Sequence, residues 1–234
     1  MSLHAPEPDS SSQPKETNSR DALVRAALHL IVTQGYHRTT TDQIARAAGV
    51  AAGTLYVHFK SKESLALEVF RRCAESASVG MFDGLAKAQT TAERVRAMIT
   101  YVFDWCEKHS EEAIYLFLLR HSEMFKDTKR VGRVEAPLNP GNLMEEVIRQ
   151  GQQSGEIRRG EFRALRMVGG IALAFIGERL EGWHERDLRD DVDMATKMCC
   201  AALGIDLDLP ASDPPSRSGQ DGLAQTSDDT DSIP

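Results

Sequence analysis

Tyr56, His58 and Lys62 carry polar chemistry at the end of the segment AAGVAAGTLYVHF (residues 47–59) and just beyond it. Six of the first seven positions of that segment are Ala or Gly, and Tyr56, His58 and Phe59 then supply three rings within four residues. A surface so poor in side chains lets something large come close to the backbone. A phenol, an imidazole and an ammonium beside it can hydrogen-bond anionic oxygens. Thr40 and Thr41 add hydroxyls at a helix N-terminus, where unpaired backbone N–H groups favour a phosphate. The chemistry offered is anion binding over a surface. Catalysis finds no foothold, because the chain has no H-E-x-x-H, Walker-type loop or G-x-S-x-G. His109, Glu111, Glu112 and His121 are metal-ligand types without metal-site spacing. No catalytic residue, metal or cofactor is expected.

The elements that must position these groups read as helices throughout. Leu23, Ala26, Ala27, Leu30 and Ile31 make one helical stripe, which Gly35 ends. Thr40 with Gln43 forms a capping box that opens a short helix, and Gly49 suits the left-handed residue that stops it. A second short helix is expected over about 52–58, and Ser61 caps a long one beginning KESLALEVF. Two short helices around a Gly-containing turn are the layout of a helix-turn-helix. Beyond them, helices are expected at about 91–109, 110–125, 141–154, 162–185 and 190–204. Val95, Met98, Ile99, Val102 and Cys106 mark the first of these, and IYLFLL makes the second apolar all round and central. Residues 126–140 read as a loop, since Pro137 and Pro140 block continuation. The expected fold is all-α: a three-helix helix-turn-helix domain over residues 18–64 and a larger helical domain over 65–205. Residues 1–17 and the acidic stretch 206–234 read as disordered tails.

Charged residues make up 27% of the chain and apolar types 41%, which places it among ordinary globular proteins. The longest uncharged apolar run, residues 167–177, is too short to cross a bilayer as a helix. The N-terminus lacks the apolar segment of a secretory signal. Cys73, Cys106 and the vicinal Cys199 and Cys200 form no disulfide framework, so a reducing, cytoplasmic setting is expected. The vicinal pair reads as buried packing, with a redox role as the alternative. The net charge of −7 is unevenly spread. Residues 18–72 hold eight Lys/Arg against four Asp/Glu, and residues 206–234 one Arg against seven Asp. A basic end on an acidic body suggests an anionic partner at that end.

The segment GYHRTTTDQIARAAGVAAGTLYVHFKSKESL, residues 35–65, resembles the DNA-binding domain of the TetR family of bacterial transcriptional regulators. Gly-aromatic, paired Thr, Ile-Ala, Ala-Gly-Val, Gly-Thr-Leu-Tyr, aromatic-Phe and Lys-Glu-x-Leu occur at the family's spacing without gaps, within a resemblance covering residues 18–70. It implies that Ile44, Ala45, Ala48, Val50, Leu55 and Phe59 form a small core. It also implies that Ala52, Gly53, Thr54, Tyr56 and Val57 lie along a recognition helix in the major groove. Thr40, Thr41, Tyr56, His58 and Lys62 would contact phosphates. For Tyr56 a partly buried core position, and for His58 a solvated one, are the alternatives. The family commonly has Ser where Ala51 stands, so the recognition helix lacks its cap. Asp42 either reads a cytosine amino group or serves the helix end. With no Arg, Lys, Asn or Gln on that helix, thymine methyl contacts and indirect readout must carry more of the specificity.

The resemblance further implies a body that dimerises and binds a small-molecule inducer. Leu165, Gly169, Ala172, Ile176 and Leu180, and then Val192, Ala195, Met198, Cys199 and Ala202, form stripes that serve either a dimer or the monomer's own core. Tyr101, Trp105, Tyr115, Phe117, His121, Met124, Phe125, Met144 and Phe175 are candidate walls of a pocket for a hydrophobic or amphipathic ligand. Lys126, Lys129, Arg130 and Arg133 attract an anionic ligand or are simply a solvated loop. The expected protein is a homodimeric regulator of a palindromic double-stranded operator, a repressor released by its inducer and not associated with a membrane. The alternatives are a ligand-independent regulator, a helical interaction module whose helix-turn-helix is degenerate, and an enzyme in a helical body.

Overall fold

The computed structural model describes residues 13–119, 140–157, 161–183 and 185–205, and every regular element among them is helical. The elements are α1 (Gln13–Gln34), α2 (Thr41–Ala47), α3 (Thr54–His58), α4 (Lys62–Ser76), α5 (Met81–Lys87) and α6 (Thr91–Lys108). There follow α7 (Ser110–Ala113), running directly into a π-helical turn (Ile114–Leu118), then α8 (Pro140–Gln153) and α9 (Glu161–Leu180). A 3₁₀ turn (Leu188–Asp191) leads into α10 (Val192–Leu203). The all-helical expectation holds, with instructive local differences.

Helix α1 begins at Gln13, inside the stretch read as a tail. Residues 1–12 and 206–234 lie outside the described residues, as does most of the expected loop 126–140. The long helix opened by Ser61 breaks after Ser76 and resumes at Met81. Gly80 sits in the break, where a Cβ would come within 2.6 Å of the Tyr101 ring. The Gly80 N–H donates to the Tyr101 hydroxyl at 3.0 Å. Of the helix expected over 110–125, residues 110–118 form a single α turn and a π-helical turn, Leu119 is extended, and 120–125 lie outside the described residues. Helix α9 ends at Leu180 rather than near 185. Gly182 (φ 77°) is left-handed there, and the Trp183 N–H bonds the Glu178 carbonyl, a Schellman closure.

Two apolar cores result. The first joins α1, α2, α3 and α4 through Leu23, Ile31, Ile44, Leu55, Leu65 and Val69, all fully buried. The domain division expected between residues 64 and 65 therefore falls inside α4, whose residues as far as Ala74 pack in this first core. The second core lies between α6, α8, α9 and α10 and contains Val95, Phe103, Ile148, Ile176, Ala195 and Cys199. Glu107 helps lock it by accepting both guanidinium N–H bonds of Arg179 at 3.0 Å and the Leu188 N–H at 2.9 Å.

Candidate nucleic-acid interface and ligand cavity

Thr40 caps α2 as its spacing predicts. Its hydroxyl accepts from the Gln43 N–H at 3.2 Å, and the Gln43 side chain accepts from the Thr40 N–H at 2.8 Å. Gly49 (φ 69°) stops the helix, with the Val50 N–H bonded to the Ala45 carbonyl at 3.0 Å. The capless recognition helix is α-helical only over Thr54–His58. Ala51–Gly53 form a turn instead, in which the Thr54 N–H bonds the Ala51 carbonyl. Leu55 and Phe59 anchor α3 in the core, while Ala52 and Gly53 are exposed and Thr54 and His58 are half-buried.

Tyr56 is 59% exposed and Val57 75%, so the core-tyrosine reading of Tyr56 does not hold. The Tyr56 hydroxyl lies 3.3 Å from that of Thr41, joining the first turn of α2 to α3 in one polar edge. Lys62 is placed differently. Its ammonium donates to the carbonyls of Tyr36 and Thr39, both at 2.9 Å, and lies over the Tyr36 ring, and burial pulls its pKa down. It holds the turn that presents Thr40.

Four of the eight basic residues in 18–72, namely Lys62, Arg20, Arg71 and Arg72, are committed within the fold. The Glu68 carboxylate receives Arg20, Arg71 and Arg72, and Arg72 also pairs with Asp21 at 2.7 Å, stapling α1 to α4. Burial acts to raise the Glu68 pKa, but the bonds from Arg71, Arg20 and Arg72 hold it at about 2. Arg38, Arg46 and Lys60 stay exposed around α2 and α3. The sequence reading passed over Arg38 and Lys60, although their charge beside Thr40 and Phe59 was a usable signal.

The second core carries a partly open cavity of about 190 Å³ between α6, the π-helical turn, α8 and α9. Its lining includes Met98, Val102, Phe103, Phe117, Met144, Leu165, Val168, Ala172 and Ile176, and among the described residues no lining side chain is polar. A wider, open groove of about 870 Å³ runs between α5, α6 and the start of α10, with Lys87, Arg96, Arg189, Glu93, Asp104 and Asp193 on its walls.

Residues 23–69 match the family model for bacterial regulatory proteins of the tetR family. That stretch is a DNA-binding domain of the TetR type. It is 28% identical over 171 residues to the fatty acid metabolism regulator protein of Bacillus subtilis, covering 73% of this chain and 86% of that one. It is 36% identical over 92 residues to the transcriptional activator FasR of Mycolicibacterium smegmatis, covering 39% of this chain and 42% of FasR. The structure of FadR from Bacillus subtilis in complex with stearoyl-CoA aligns with a TM-score of 0.66 at 22% identity, over 78% of this chain and 98% of that one. That last likeness is one of fold.

The pocket residues need correction. Phe117 and Met144 line the cavity as expected. Tyr115 does not. It is fully buried in the first core, where its hydroxyl donates to the Ala66 carbonyl at 2.9 Å. Trp105 is buried against α4, its indole N–H donating to the Ser76 hydroxyl at 3.2 Å. Tyr101 lines the open groove. Phe175 meets Phe103 at a tilt, with ring centroids 5.9 Å apart, and is not part of the cavity wall. His121, Met124 and Phe125 lie outside the described residues, as do Lys126, Lys129, Arg130 and Arg133. Leu165, Gly169, Ala172 and Ile176, read as one stripe for a dimer or a core, face the cavity, and Val192, Ala195 and Cys199 are buried in the monomer. An exposed apolar face carries Met167, Gly170, Leu173 and Met194, together with Met198 of the second stripe. Among the described residues no helix is long and apolar enough to cross a membrane.

Proposed function

We propose that the protein is a homodimeric repressor released from a palindromic operator by a ligand with an extended apolar segment. The observation that carries this reading is the cavity wall, which among the described residues combines Met, Leu, Val and Phe side chains with no polar one. Such a wall rewards burial of hydrocarbon and penalises any unpaired polar group. At about 190 Å³ the cavity is smaller than the roughly 300–1,000 Å³ of a drug-sized site, so it receives part of a ligand whose polar end stays outside. The Bacillus subtilis FadR structure was solved with stearoyl-CoA, a molecule of this type. A long acyl chain on a polar head is therefore the ligand class proposed.

At the operator, Tyr56, Thr40, Thr41 and exposed Arg38 and Lys60 would meet phosphates, and Ala52, Thr54 and Val57 would face base edges. Val57 offers an apolar contact to a thymine methyl. The exposed apolar face of α9 and α10 supports a two-fold dimer that sets two α3 helices about one turn of DNA apart.

The test is selection of bound fragments from the source genome at two salt concentrations, followed by titration of the selected fragment with stearoyl-CoA or coenzyme A. One enriched palindrome that stearoyl-CoA releases and coenzyme A does not supports the proposal. No enriched sequence at either salt favours the interaction-module reading, and an enriched palindrome unmoved by stearoyl-CoA removes the acyl ligand.

A further inference from the structure

We infer that the π-helical turn Ile114–Leu118 is the switch joining the cavity to the DNA-binding unit, with Tyr115 as its positioning residue. The inference rests on the ligand-responsive reading above and deepens it by naming the path. A π-helical turn holds one more residue than an α turn, and such turns concentrate at functional sites. The turn here is five residues long and ends at extended Leu119, so a change to α geometry needs no rearrangement of a long helix.

Its two large rings serve different cores. Phe117 lines the cavity and meets Trp105 edge-on at 6.4 Å. Tyr115, two residues earlier, is fully buried beside Leu65, Val69 and Phe70 and donates to the Ala66 carbonyl of α4. Side chains two apart on a helical turn project to nearly opposite sides. A ligand that displaces Phe117 therefore rotates the short turn and draws on Tyr115. Trp105 adds a second strut, since its indole bonds Ser76 at the far end of α4.

From α4 the path is continuous. Lys62, the first residue of α4, holds the Tyr36 and Thr39 carbonyls directly before Thr40. A shift of α4 thus reaches the α2 N-terminus through two short bonds. These contacts form the contiguous network that coupling requires, and the inference assigns the π-helical turn as its element with two arrangements.

The test needs neither an operator nor a natural ligand. Gly169→Leu places a side chain at the cavity where a Cβ meets nothing within 4 Å, and Ala172→Leu fills the same cavity from the next turn. Amide hydrogen exchange of residues 114–118 and 62–70 is compared for each filled variant with Tyr115 present and with Tyr115→Phe. With Tyr115 present, filling should speed exchange in both segments by roughly two- to thirtyfold, the range typical of perturbed coupling networks. With Tyr115→Phe, the change should persist at 114–118 and fall away at 62–70. An equal response of 62–70 in both backgrounds, or none in either, overturns the inference. The same readout with stearoyl-CoA separates the two claims. If α4 responds to Gly169→Leu but not to stearoyl-CoA, the coupling stands and the acyl reading falls.

Discussion

The Lys62 ammonium lies 4.2 Å from the centre of the Tyr36 ring and donates to the Tyr36 carbonyl at 2.9 Å. The first residue of α4 thereby closes the turn that follows α1, and a second bond, to the Thr39 carbonyl, fixes the residue before the α2 cap. The arrangement gives the side chain a positioning role at the nucleic-acid edge.

Lys62→Ala should lower stability by about 1–3 kcal/mol, from the lost cation–π contact and two charge-assisted bonds. Operator affinity should fall with it across all sequences. Its dependence on salt should stay unchanged, because the ammonium is spent on carbonyls. A salt slope lower by about one in the variant would instead make Lys62 a direct phosphate contact.

Glu68→Gln should destabilise the α1–α4 staple by about 1.5–3 kcal/mol, since three arginines lose a charged acceptor. The sign with pH follows from the depressed pKa. The contribution is fully present above the ordinary Glu value of 4.5 and is lost as pH falls through about 2. Thermal melts of the wild-type and variant proteins should converge across that interval. A constant gap between them down to pH 2 would remove Glu68 from this role.

Met194→Asp with Met198→Asp tests the proposed dimer face. Both side chains are about half exposed in the protomer, so the fold should survive. Facing carboxylates across a two-fold interface should raise the dimer dissociation constant by roughly a hundredfold or more. Sedimentation velocity reads the change, and a dimer of unaltered stability would place the interface elsewhere.

The four thiols should be inert in the native protein. Burial pushes Cys73, Cys106 and Cys199 up to about 12 and Cys200 up to about 11. Nearby Glu112, Glu107 and Cys200 add to the effect on the first three, respectively. Reaction with a thiol-specific disulfide reagent at pH 8 should be slower than in urea by roughly a hundredfold or more. Rapid native labelling of Cys199 or Cys200 would reopen a redox role for the pair.

The sequence by itself determined the features set by local chemistry. Thr40 with Gln43, Gly49 after Ala48, and Ser61 before Lys62 wrote the helix ends of the DNA-binding unit, because capping and left-handed backbone depend on residues within a few positions. The motif spanning 35–65 carried the resemblance of the DNA-binding unit to the TetR family, and the helical spacing of Leu23, Ala27 and Ile31 assigned a core face.

Only the tertiary structure decided which apolar face meets what. Tyr115 and Phe117 look alike as pocket walls in IYLFLL, yet one enters the first core and the other the cavity, since a π-helical turn sets their directions. Ala172 and Ile176 share one stripe whether it faces a partner, a core or a void, and periodicity carries no information about the neighbour. Lys62 reads as a phosphate contact until the fold brings the Tyr36 and Thr39 carbonyls, 26 and 23 residues away, within hydrogen-bond reach. Caps are legible because their partners are neighbours in the chain, whereas the cavity, the Glu68 staple and the Tyr115 joint are made by residues that meet only after the helices pack.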